Sequence, residues 1–355
     1  MKGLAATIGG VSRRQDQVDS GGRYPLQQEF HLMTLLALPV DWPGRDDESL
    51  AWLASYPRSG NTFTRILLAN YFAAGGTAYE LNKLQDFIPS DISTALWPKV
   101  SDTAFEPENY EALWKARPAA IARYRKTKGP QTFPCLKTHT ANVSAFGSSG
   151  FDFRQNDRVI YLVRHPLDVL LSYADFNATD IDFTIGQITT SGFTVTQPVT
   201  GSIEIRGSWS ENVSGWIVAP PCPVLLVRYE ELSTETERIL RSILAFLGIP
   251  IIEERLRYAV STSRFDKLRE QEMAQGFHER PADALSGRFF REGKALQWLR
   301  KLTPEQANRL ADACEEEMTM LGYTHPRDVL FDGRNAVGRL NLPGQNLKPD
   351  STSSL

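Results

Sequence analysis

Three short apolar runs in the chain are each followed directly by a segment whose apolar positions have helical spacing. The runs are AWLASY at 51–56, RVIYLVR at 158–164 and PVLLVRYEEL at 223–232. Uninterrupted apolar runs of this length are typical of strands buried on both faces. Because repeated strand–helix units favour parallel pairing, the pattern predicts a three-layer α/β fold with a central parallel sheet flanked by helices.

Local start signals predict where several helices begin. Pro166 suits the first turn of a helix that follows the second run. Thr234 and Glu237 have the spacing of a capping box, which predicts a helix start after the third run. Thr303 and Gln306 have the same spacing late in the chain and predict another helix there.

The two ends of the chain and one internal segment depart from this alternation. Residues 1–47 are predicted to be a disordered leader and 331–355 a flexible tail, which leaves 48–330 as a single catalytic domain. The segment 177–207 is rich in Thr, Ile, Val and Gly and is long for a connection. It fits two interpretations, a lid or binding loop and a surface β-hairpin without a role.

Composition and charge narrow the class of protein. The chain has 355 residues, of which 41% are hydrophobic and 23% charged, and a net charge of −3, which does not suggest nucleic-acid binding. Cys135, Cys222 and Cys314 fit neither a disulfide framework nor zinc-ligand spacing, which favours a reducing compartment. The apolar stretch at 30–40 is too short to cross a membrane and lacks a basic leader. We therefore expect a soluble cytoplasmic protein.

The polar turn PRSGNT at 57–62 separates the first strand from its helix without any other spacer. Such a turn directs backbone N–H groups and the positive end of the helix dipole at one point, which suits a phosphate. Arg58 adds a charge, Ser59 and Thr62 add hydroxyl donors, and Gly60 permits close backbone approach. The Walker A spacing is absent, and a purely structural turn stays open as an alternative.

A second basic residue marks the end of the second strand. Arg164 closes that run, and Ser172 lies eight residues further on in the following helix. In a parallel sheet the carboxyl ends of the strands share one edge, where ligands of α/β proteins bind. Arg164 and the polar turn should therefore lie on one rim, which suggests a ligand with two phosphate-like groups.

Five segments in order resemble the motifs of the cytosolic-type sulfotransferases. SYPRSGNTF resembles the family's 5′-phosphosulfate loop, and YLVRHPLDVLLSYADF resembles its 3′-phosphate motif. The other three are CLKTHT, SWSENVSGW and FFREGKALQWLRKLT, so that the likeness covers roughly residues 50–305. The resemblance implies a fold like that of P-loop NTPases.

The resemblance also implies the reaction and the ligand contacts. The family transfers a sulfuryl group from 3′-phosphoadenosine 5′-phosphosulfate (PAPS) to a hydroxyl or amine of a small molecule and releases adenosine 3′,5′-bisphosphate. Arg58 and the amides that follow it would hold the 5′-phosphate, while Arg164, Ser172 and Arg291 would hold the 3′-phosphate. The residues assigned to the nucleotide in this way are Arg58, Ser59, Gly60, Asn61, Thr62, Phe63, Arg164, Ser172, Tyr229, Phe265, Arg291, Glu292 and Gly293.

The predicted catalytic residues are His139, Lys137 and Arg58. A neutral imidazole at His139 would accept the proton of the acceptor hydroxyl, and Lys137 would stabilise the transferring group. Arg58 would supply charge at the leaving phosphate. His165 is a rival base, because it adjoins Arg164 on the predicted rim, although the family usually carries Asn or another residue there.

The sequence departs from the family pattern in three places. Arg58 replaces the usual Lys, a change that we expect to be tolerated. Glu292 stands where relatives often carry Lys, which puts the cofactor affinity in doubt, and Asn212 replaces a common His, which puts a detail of acceptor binding in doubt. The tryptophans of these motifs are interpreted as scaffold aromatics: Trp209, Trp216 and Trp298.

Two other functions stay open, and several properties of the site are predicted. A P-loop kinase or NTPase would need an acidic metal partner, for which Glu230 and Glu231 are the candidates. An inactive binding protein with the same fold is the other alternative. No metal is predicted. A small-molecule acceptor is expected to bind between walls formed by residues 79–110 and 177–207. The choice between monomer and homodimer is open.

Overall fold

The computed structural model describes most of the chain between residues 48 and 329. The described ranges are 48–73, 77–97, 109–127 and 133–329, with the backbone of 331–332 and 335–336. The predicted leader lies outside these residues, and so does nearly all of the predicted tail. Within the described part, no helix is both long and apolar enough to cross a membrane.

The secondary structure alternates between strands and helices, as the hydrophobic pattern predicts. The strands are β1 (Ala51–Ser55), β2 (Cys135–Thr138), β3 (Ser144–Ala145), β4 (Ser148–Ser149), β5 (Arg158–Val163), β6 (Thr194–Thr196), β7 (Ile203–Ile205), β8 (Val224–Arg228), β9 (Phe331–Asp332) and β10 (Asn335–Ala336). The α-helices are α1 (Asn61–Phe72), α2 (Leu84–Phe87), α3 (Tyr110–Thr127), α4 (Pro166–Asn177), α5 (Ile181–Thr189), α6 (Trp209–Ile217), α7 (Tyr229–Thr234), α8 (Thr236–Phe246), α9 (Glu253–Thr262), α10 (Phe265–Gln275), α11 (Trp298–Lys301), α12 (Pro304–Ala313) and α13 (Glu315–Met320). Short 3₁₀ turns occur at Leu81–Lys83 and Pro326–Asp328.

The central sheet has the strand order β2-β1-β5-β8, and all of its neighbours pair in parallel. The three predicted strands form β1, β5 and β8, and the segment around Lys137 adds β2 at the edge. Leu53 of β1 pairs with both Lys137 of β2 and Ile160 of β5. The carboxyl ends of these strands therefore meet on one rim.

The sheet is buried on both faces, and successive strand residues contribute to opposite cores. In β5, Tyr161 packs into the cluster that contains residues of α4, α6 and α12, whereas Ile160 packs into the cluster formed with α1, α8 and α9. This alternation follows from the two-residue period of a strand. The prediction of a three-layer α/β fold is confirmed.

Two of the three helix starts are as predicted. Pro166 is the first residue of α4, and Thr303 caps α12 in a capping box with Gln306. The capping box at Thr234 and Glu237 is wrong.

The chain already turns helical directly after β8, so Thr234 lies inside α7. Its hydroxyl donates to the carbonyl of Glu230 four residues earlier, a bond that Thr makes within a helix. The next helix, α8, begins after Glu235 without a side-chain cap.

The segment 177–207 contains more structure than either interpretation predicted. It forms α5 and then an antiparallel hairpin of β6 and β7. The hairpin is not a surface feature, because Ile203 and Ile205 of β7 are buried against Trp114 and Ala145.

A buried polar network holds the edge strand beside this hairpin. Asp91 accepts hydrogen bonds from Arg117 (2.5 Å) and Thr138 (2.7 Å), and its amide donates to the carbonyl of Lys137 (2.9 Å). Arg117 also donates to the carbonyl of Ile203 (2.9 Å). These bonds fix β2, and with it Lys137, against the neighbouring chain segments.

Candidate active site

A cavity of about 520 Å³ opens at the carboxyl ends of β1, β2, β5 and β8. Its lining includes all the residues assigned from the sequence except Ser59: Arg58, Gly60, Asn61, Thr62, Phe63, Lys137, His139, Arg164, Ser172, Tyr229, Phe265, Arg291, Glu292 and Gly293. The structure therefore brings together side chains that are spread over more than two hundred positions of the chain.

The polar turn leads directly into the positive end of α1. Gly60 is the N-cap residue, with φ of 104°, and the first turn of α1 contains no acidic residue. A Cβ at Gly60 would lie 2.8 Å from Cδ2 of Tyr229, so only glycine lets the tyrosine ring pack on this turn. Asn61 ties the turn to β1 through a 3.0 Å bond to the carbonyl of Leu53.

The side chain of Arg58 points away from the turn amides and toward α4. Its Nε donates to the hydroxyl of Ser172 at 3.0 Å. Its guanidinium lies between the rings of Phe176 and Phe289, 4.5 Å and 4.4 Å from their centroids. The resemblance assigns Arg58 to the 5′-phosphate, whereas the structure places its guanidinium beside Ser172, the residue assigned to the 3′-phosphate.

Arg164 lies next to Arg58. It donates to the carbonyls of Arg58 and Lys294, both at 3.2 Å, and its guanidinium lies 4.2 Å from the ring centroid of Tyr229. Arg291 reaches the same region and is held by Gln297 at 2.9 Å. We call Arg58, Arg164 and Arg291 the cation cluster.

The loop that carries Arg291 is anchored to α4 by Asp168. This buried carboxylate accepts the backbone amides of Leu296 (2.5 Å) and Trp298 (3.3 Å). Asp168 lies one helical turn before Ser172, on the same face of α4. The same helix therefore carries Ser172 and, through Asp168, anchors the loop that carries Arg291. The sequence analysis did not assign Asp168, although an acidic residue in an otherwise apolar helical run was a usable signal.

Gly293 and Glu292 follow Arg291 in the same loop. Gly293 has φ of 66°, and a Cβ there would lie 2.5 Å from Cδ2 of Phe265. Glu292 lines the cavity and forms an ion pair with Lys301. The acidic side chain that replaces the usual Lys is therefore partly neutralised by a nearby cation.

The cation cluster has the electrostatics of an anion receptor. Burial, and then the positive charges of Arg164 and Arg291, lower the pKa of Arg58 to about 10. Within the described ranges no carboxylate forms an ion pair with these three arginines, although Asp175 lies near enough to oppose the lowering of the Arg58 pKa. Arg164 Nε is buried without a hydrogen-bond partner, as expected of a group that binds a phosphate. Ser59 Oγ also has no partner, but it is fully buried and does not line the cavity.

His139 has a defined tautomer. Its Nδ1 lies 2.8 Å from the carbonyl oxygen of Ser55. Nδ1 also lies 3.1 Å from the hydroxyl of Ser55, but the carbonyl is the closer partner and can only accept, so Nδ1 carries the hydrogen and Nε2 keeps its lone pair. Burial, and then the charge of Lys137, lower the pKa of His139 to about 3. The imidazole is therefore neutral at physiological pH.

Lys137 lies two residues from His139 and lines the same part of the cavity. Burial lowers its pKa, and the carboxylate of Glu279 opposes this shift. Glu279 also lines the cavity and accepts from Arg65 (2.7 Å) and Gln85 (2.8 Å). Burial alone would raise the pKa of Glu279, but the charges of Arg65 and Lys137 and the hydrogen bonds from Arg65 and Gln85 outweigh it and lower the value to about 2. No sequence motif pointed to Glu279.

Asn212 lies behind the cavity wall and holds two segments together. Its Nδ2 donates to the carbonyls of His139 (3.0 Å) and Arg206 (2.9 Å), and its Oδ1 accepts from Tyr161 (2.9 Å). The residue that replaces the common His therefore positions the backbone around the site. The tryptophans are core residues, as predicted: Trp209, Trp216 and Trp298 are fully buried.

The rival base is in a structural position. His165 caps α4, where its Nδ1 accepts from the amide of Leu167 (3.3 Å) and its Nε2 lies 3.2 Å from the carbonyl of Thr324. Its ring stacks on Trp298 and does not line the cavity. Both nitrogens are engaged, so His165 offers no free lone pair to a ligand.

The acidic partner that a P-loop kinase would need is also engaged elsewhere. Glu230 is buried and accepts from the amide of His165 and the hydroxyl of Tyr323, both at 3.0 Å. Glu231 pairs with Arg238 at 2.7 Å. Neither carboxylate lines the cavity, and the described residues contain no group of three metal-ligating side chains.

Comparison with known proteins agrees with this geometry. A model of the sulfotransferase domain matches residues 48–322. Since this is well over half of the chain, the protein belongs to the sulfotransferase family. The resemblance seen in the motifs is thereby confirmed.

The similar curated proteins are distant. Sulfotransferase 2A1 of Macaca fascicularis is 29% identical over 195 residues, which is 50% of this chain and 60% of that protein. The 3-beta-hydroxysteroid sulfotransferase of Cavia porcellus is 29% identical over 177 residues, 48% of this chain and 58% of that protein. The chain thus matches less than two thirds of the length of each of these relatives.

Solved structures support the fold. A retinol dehydratase in complex with androsterone and the inactive cofactor PAP superposes with a TM-score of 0.53 at 16% identity, covering 84% of this chain and 88% of that one. The same enzyme in a complex with retinol and PAP gives a TM-score of 0.51 at 16% identity, covering 82% and 86%. At this identity the likeness concerns the fold alone.

Proposed function

We propose that this protein transfers a sulfuryl group from PAPS to a hydroxyl or amine of a small molecule and releases adenosine 3′,5′-bisphosphate. One observation carries the proposal. A single cavity is lined by a cation cluster with which no described carboxylate forms an ion pair, and by a neutral histidine with a free nitrogen beside a lysine. Membership of the sulfotransferase family and the names of the relatives support it.

The cation cluster would hold the 3′-phosphate together with Ser172. The backbone amides that follow Ser59 at the start of α1 would hold the 5′-phosphate. When bound, PAPS supplies an activated sulfuryl group attached to a phosphate that can leave. The aromatic rings beside the turn would contact adenine: Phe63, Tyr229 and Phe265.

The reacting end would be formed by His139 and Lys137. Nε2 of His139 is free to accept the proton of the acceptor hydroxyl, because Nδ1 is committed to Ser55. Lys137 would donate to the oxygens on which negative charge builds up, and β2 holds it rigidly. The positive charge that would stabilise the transferring sulfuryl group is thus supplied by a side chain of the protein itself. The unpaired cysteines Cys135, Cys222 and Cys314 support a reducing compartment such as the cytoplasm.

A ligand melt tests the nucleotide site. Adenosine 3′,5′-bisphosphate at a hundred times its dissociation constant should stabilise the fold by about 2.7 kcal/mol. ATP with magnesium serves as the comparison. Protection by ATP with magnesium alone would overturn the proposal in favour of a kinase-like enzyme.

Transfer itself is tested with labelled PAPS and a panel of alcohols, phenols and amines. Label that moves to an acceptor supports the proposal. Strong binding of the bisphosphate without transfer to any acceptor, in the panel or in a metabolite extract, would identify an inactive binding protein instead.

A further inference from the structure

Arg206 lines the cavity although no motif pointed to it. It follows β7 and is held by two bonds, from Nε to Glu204 at 2.5 Å and from Nη1 to the hydroxyl of Tyr173 at 2.7 Å. Glu204 is buried, whereas the side chain of Arg206 keeps 17% exposure. Among the described residues Nη2 has no hydrogen-bond partner, so a preoriented guanidinium faces the cavity with donors to spare.

Arg206 belongs to the end of the cavity that contains His139. Nδ2 of Asn212 donates to the backbone carbonyls of both His139 and Arg206, so these two carbonyl oxygens lie close together. The carbonyl of Ile205 accepts from Ala141, which also ties β7 to the segment after His139. We call Lys137, His139 and Arg206 the histidine end.

Several aromatic lining residues pack around the cation cluster and its loop. Phe176 and Phe289 flank Arg58, Phe265 packs on Gly293, and Tyr229 packs on Arg164. At the histidine end the described lining contains Gln85, Glu279 and the three residues that define it, together with the ring of Tyr173, whose hydroxyl accepts from Arg206. An acceptor that enters this end therefore meets mainly charged and amide groups beside a tyrosine ring.

We propose that Arg206 is a specificity-determining residue and that the acceptor is a hydroxy acid or amino acid-like compound whose carboxylate binds this guanidinium. This inference rests on the proposed function and names its substrate class. The histidine end contains two cationic side chains, Lys137 and Arg206, and two carboxylates, Glu204 and Glu279, so the free donors of Arg206, and not a net positive charge, would bind the carboxylate of the acceptor. A planar guanidinium with free donors matches a carboxylate in geometry as well as in charge.

A sterol-like acceptor fits this end poorly. An apolar surface placed against Arg206 would remove its free donors from water without offering an acceptor, which is unfavourable. The hydroxysteroid named for one relative therefore does not transfer to this chain.

The experiment uses matched probes that differ only in charge. These are 4-hydroxybenzoate, 4-hydroxyphenylacetate and 3-(4-hydroxyphenyl)propionate, each compared with its methyl ester. Binding of each probe to the full chain is measured by calorimetry with adenosine 3′,5′-bisphosphate present, and kcat/KM is measured with PAPS. We expect at least one acid to bind and react about 10-fold or more better than its ester.

The test variant is E204Q/R206Q, because R206Q alone would leave Glu204 buried and unpaired. The matched control is E253Q/R241Q, which removes an exposed pair of the same kind. The double variant at β7 should lose the preference for the acid and keep its affinity for the bisphosphate. The control should behave like the native protein.

The outcomes separate this inference from the proposed function. If every ester equals or exceeds its acid in the native protein, or if E204Q/R206Q retains the preference, the role of Arg206 is wrong while sulfuryl transfer stands. If no probe is sulfated but an acid still binds through Arg206, the inference holds and the transfer activity is in question.

Discussion

The two ends of the cavity differ in whether their positively charged side chains have carboxylate partners. In the cation cluster Arg58, Arg164 and Arg291 lie together, and no described carboxylate forms an ion pair with them. At the histidine end Arg206 is paired with Glu204 at 2.5 Å, and Glu279 lies near enough to oppose the lowering of the Lys137 pKa by burial.

The difference indicates what each end is built to do. Arginines that lie together repel one another, and a bound anion would relieve this repulsion, so the cation cluster suits the highly charged nucleotide proposed above. At the histidine end burial and the charge of Lys137 keep the imidazole neutral, while the carboxylates of Glu204 and Glu279 offset the two cations. The proposed proton acceptor and the proposed nucleotide site can then share one cavity.

The largest effect is expected from removing the imidazole. His139→Ala should lower kcat by about 10²- to 10⁴-fold, because the acceptor hydroxyl loses its proton acceptor. The affinity for adenosine 3′,5′-bisphosphate should not change, since His139 belongs to the other end. His278→Ala, which removes an exposed histidine, is the control. An unchanged kcat in His139→Ala would remove this residue from the mechanism.

Acidification should weaken the fold through the same histidine and through His165. Burial lowers the pKa of each from 6.5 to about 3. Below pH 6.5 the unfolded chain therefore binds protons that the folded chain excludes, and stability falls by about 2 kcal/mol per histidine by pH 5. Urea unfolding at pH 7 and pH 5 measures this loss.

The acid effect has an internal control. His139→Gln should show about half of the loss seen in the native protein, because only His165 then contributes. Because the pKa of His139 is about 3, its protonation should not change kcat/KM between pH 5 and pH 8. Equal stability of the native protein at the two pH values would contradict the buried, neutral state of both rings.

A third change breaks the cation cluster alone. Arg58→Met keeps an apolar side chain between Phe176 and Phe289 but removes the charge and the bond to Ser172. The affinity for adenosine 3′,5′-bisphosphate should fall by about 10- to 100-fold. Arg241→Met serves as the control for loss of one exposed arginine. If calorimetry gives equal dissociation constants for Arg58→Met and the native protein, Arg58 does not contact the nucleotide.

The smallest effect concerns the loop that follows Arg291. Gly293→Ala and Gly287→Ala both place a side chain at positive φ, which costs about 1–2 kcal/mol of stability in each. Only the Cβ at residue 293 meets a neighbour, Phe265 at 2.5 Å, whereas residue 287 faces open space. Weaker nucleotide binding should appear in Gly293→Ala alone. A similar loss in both variants would show that backbone strain, and not contact with Phe265, is responsible.

Much of the cavity was predictable because its key segments are local motifs. The strand, the turn and the start of α1 follow one another in the chain, so the position of Gly60 is readable from PRSGNT. Arg164 and Ser172 were predictable for the same reason. The prediction that Arg58 and Arg164 share a rim is consistent with the 3.2 Å bond between them.

The missed residues have a common property: their role depends on neighbours far away in the sequence. Asp168 accepts amides about 130 positions later, and Glu279 accepts from Arg65, which lies more than 200 positions earlier. Arg206 was hidden in a segment that had been interpreted as a lid or a surface hairpin. The predicted capping box at Thr234 failed because α7 begins directly after β8, which no spacing rule indicated.

The amino-acid sequence by itself determined the alternation of strands and helices, the polar turn before α1 and the order of the motifs. These features depend on the period of the hydrophobic residues and on contacts between residues that are close in the sequence, and both can be read from the sequence alone. Only the tertiary structure decided that Arg58 turns toward Ser172, that His139 is neutral with Nε2 free, and that Arg206 faces the cavity. Side-chain direction, burial and charge balance depend on groups that meet only after folding, because burial and neighbouring charges set both pKa and hydrogen bonding.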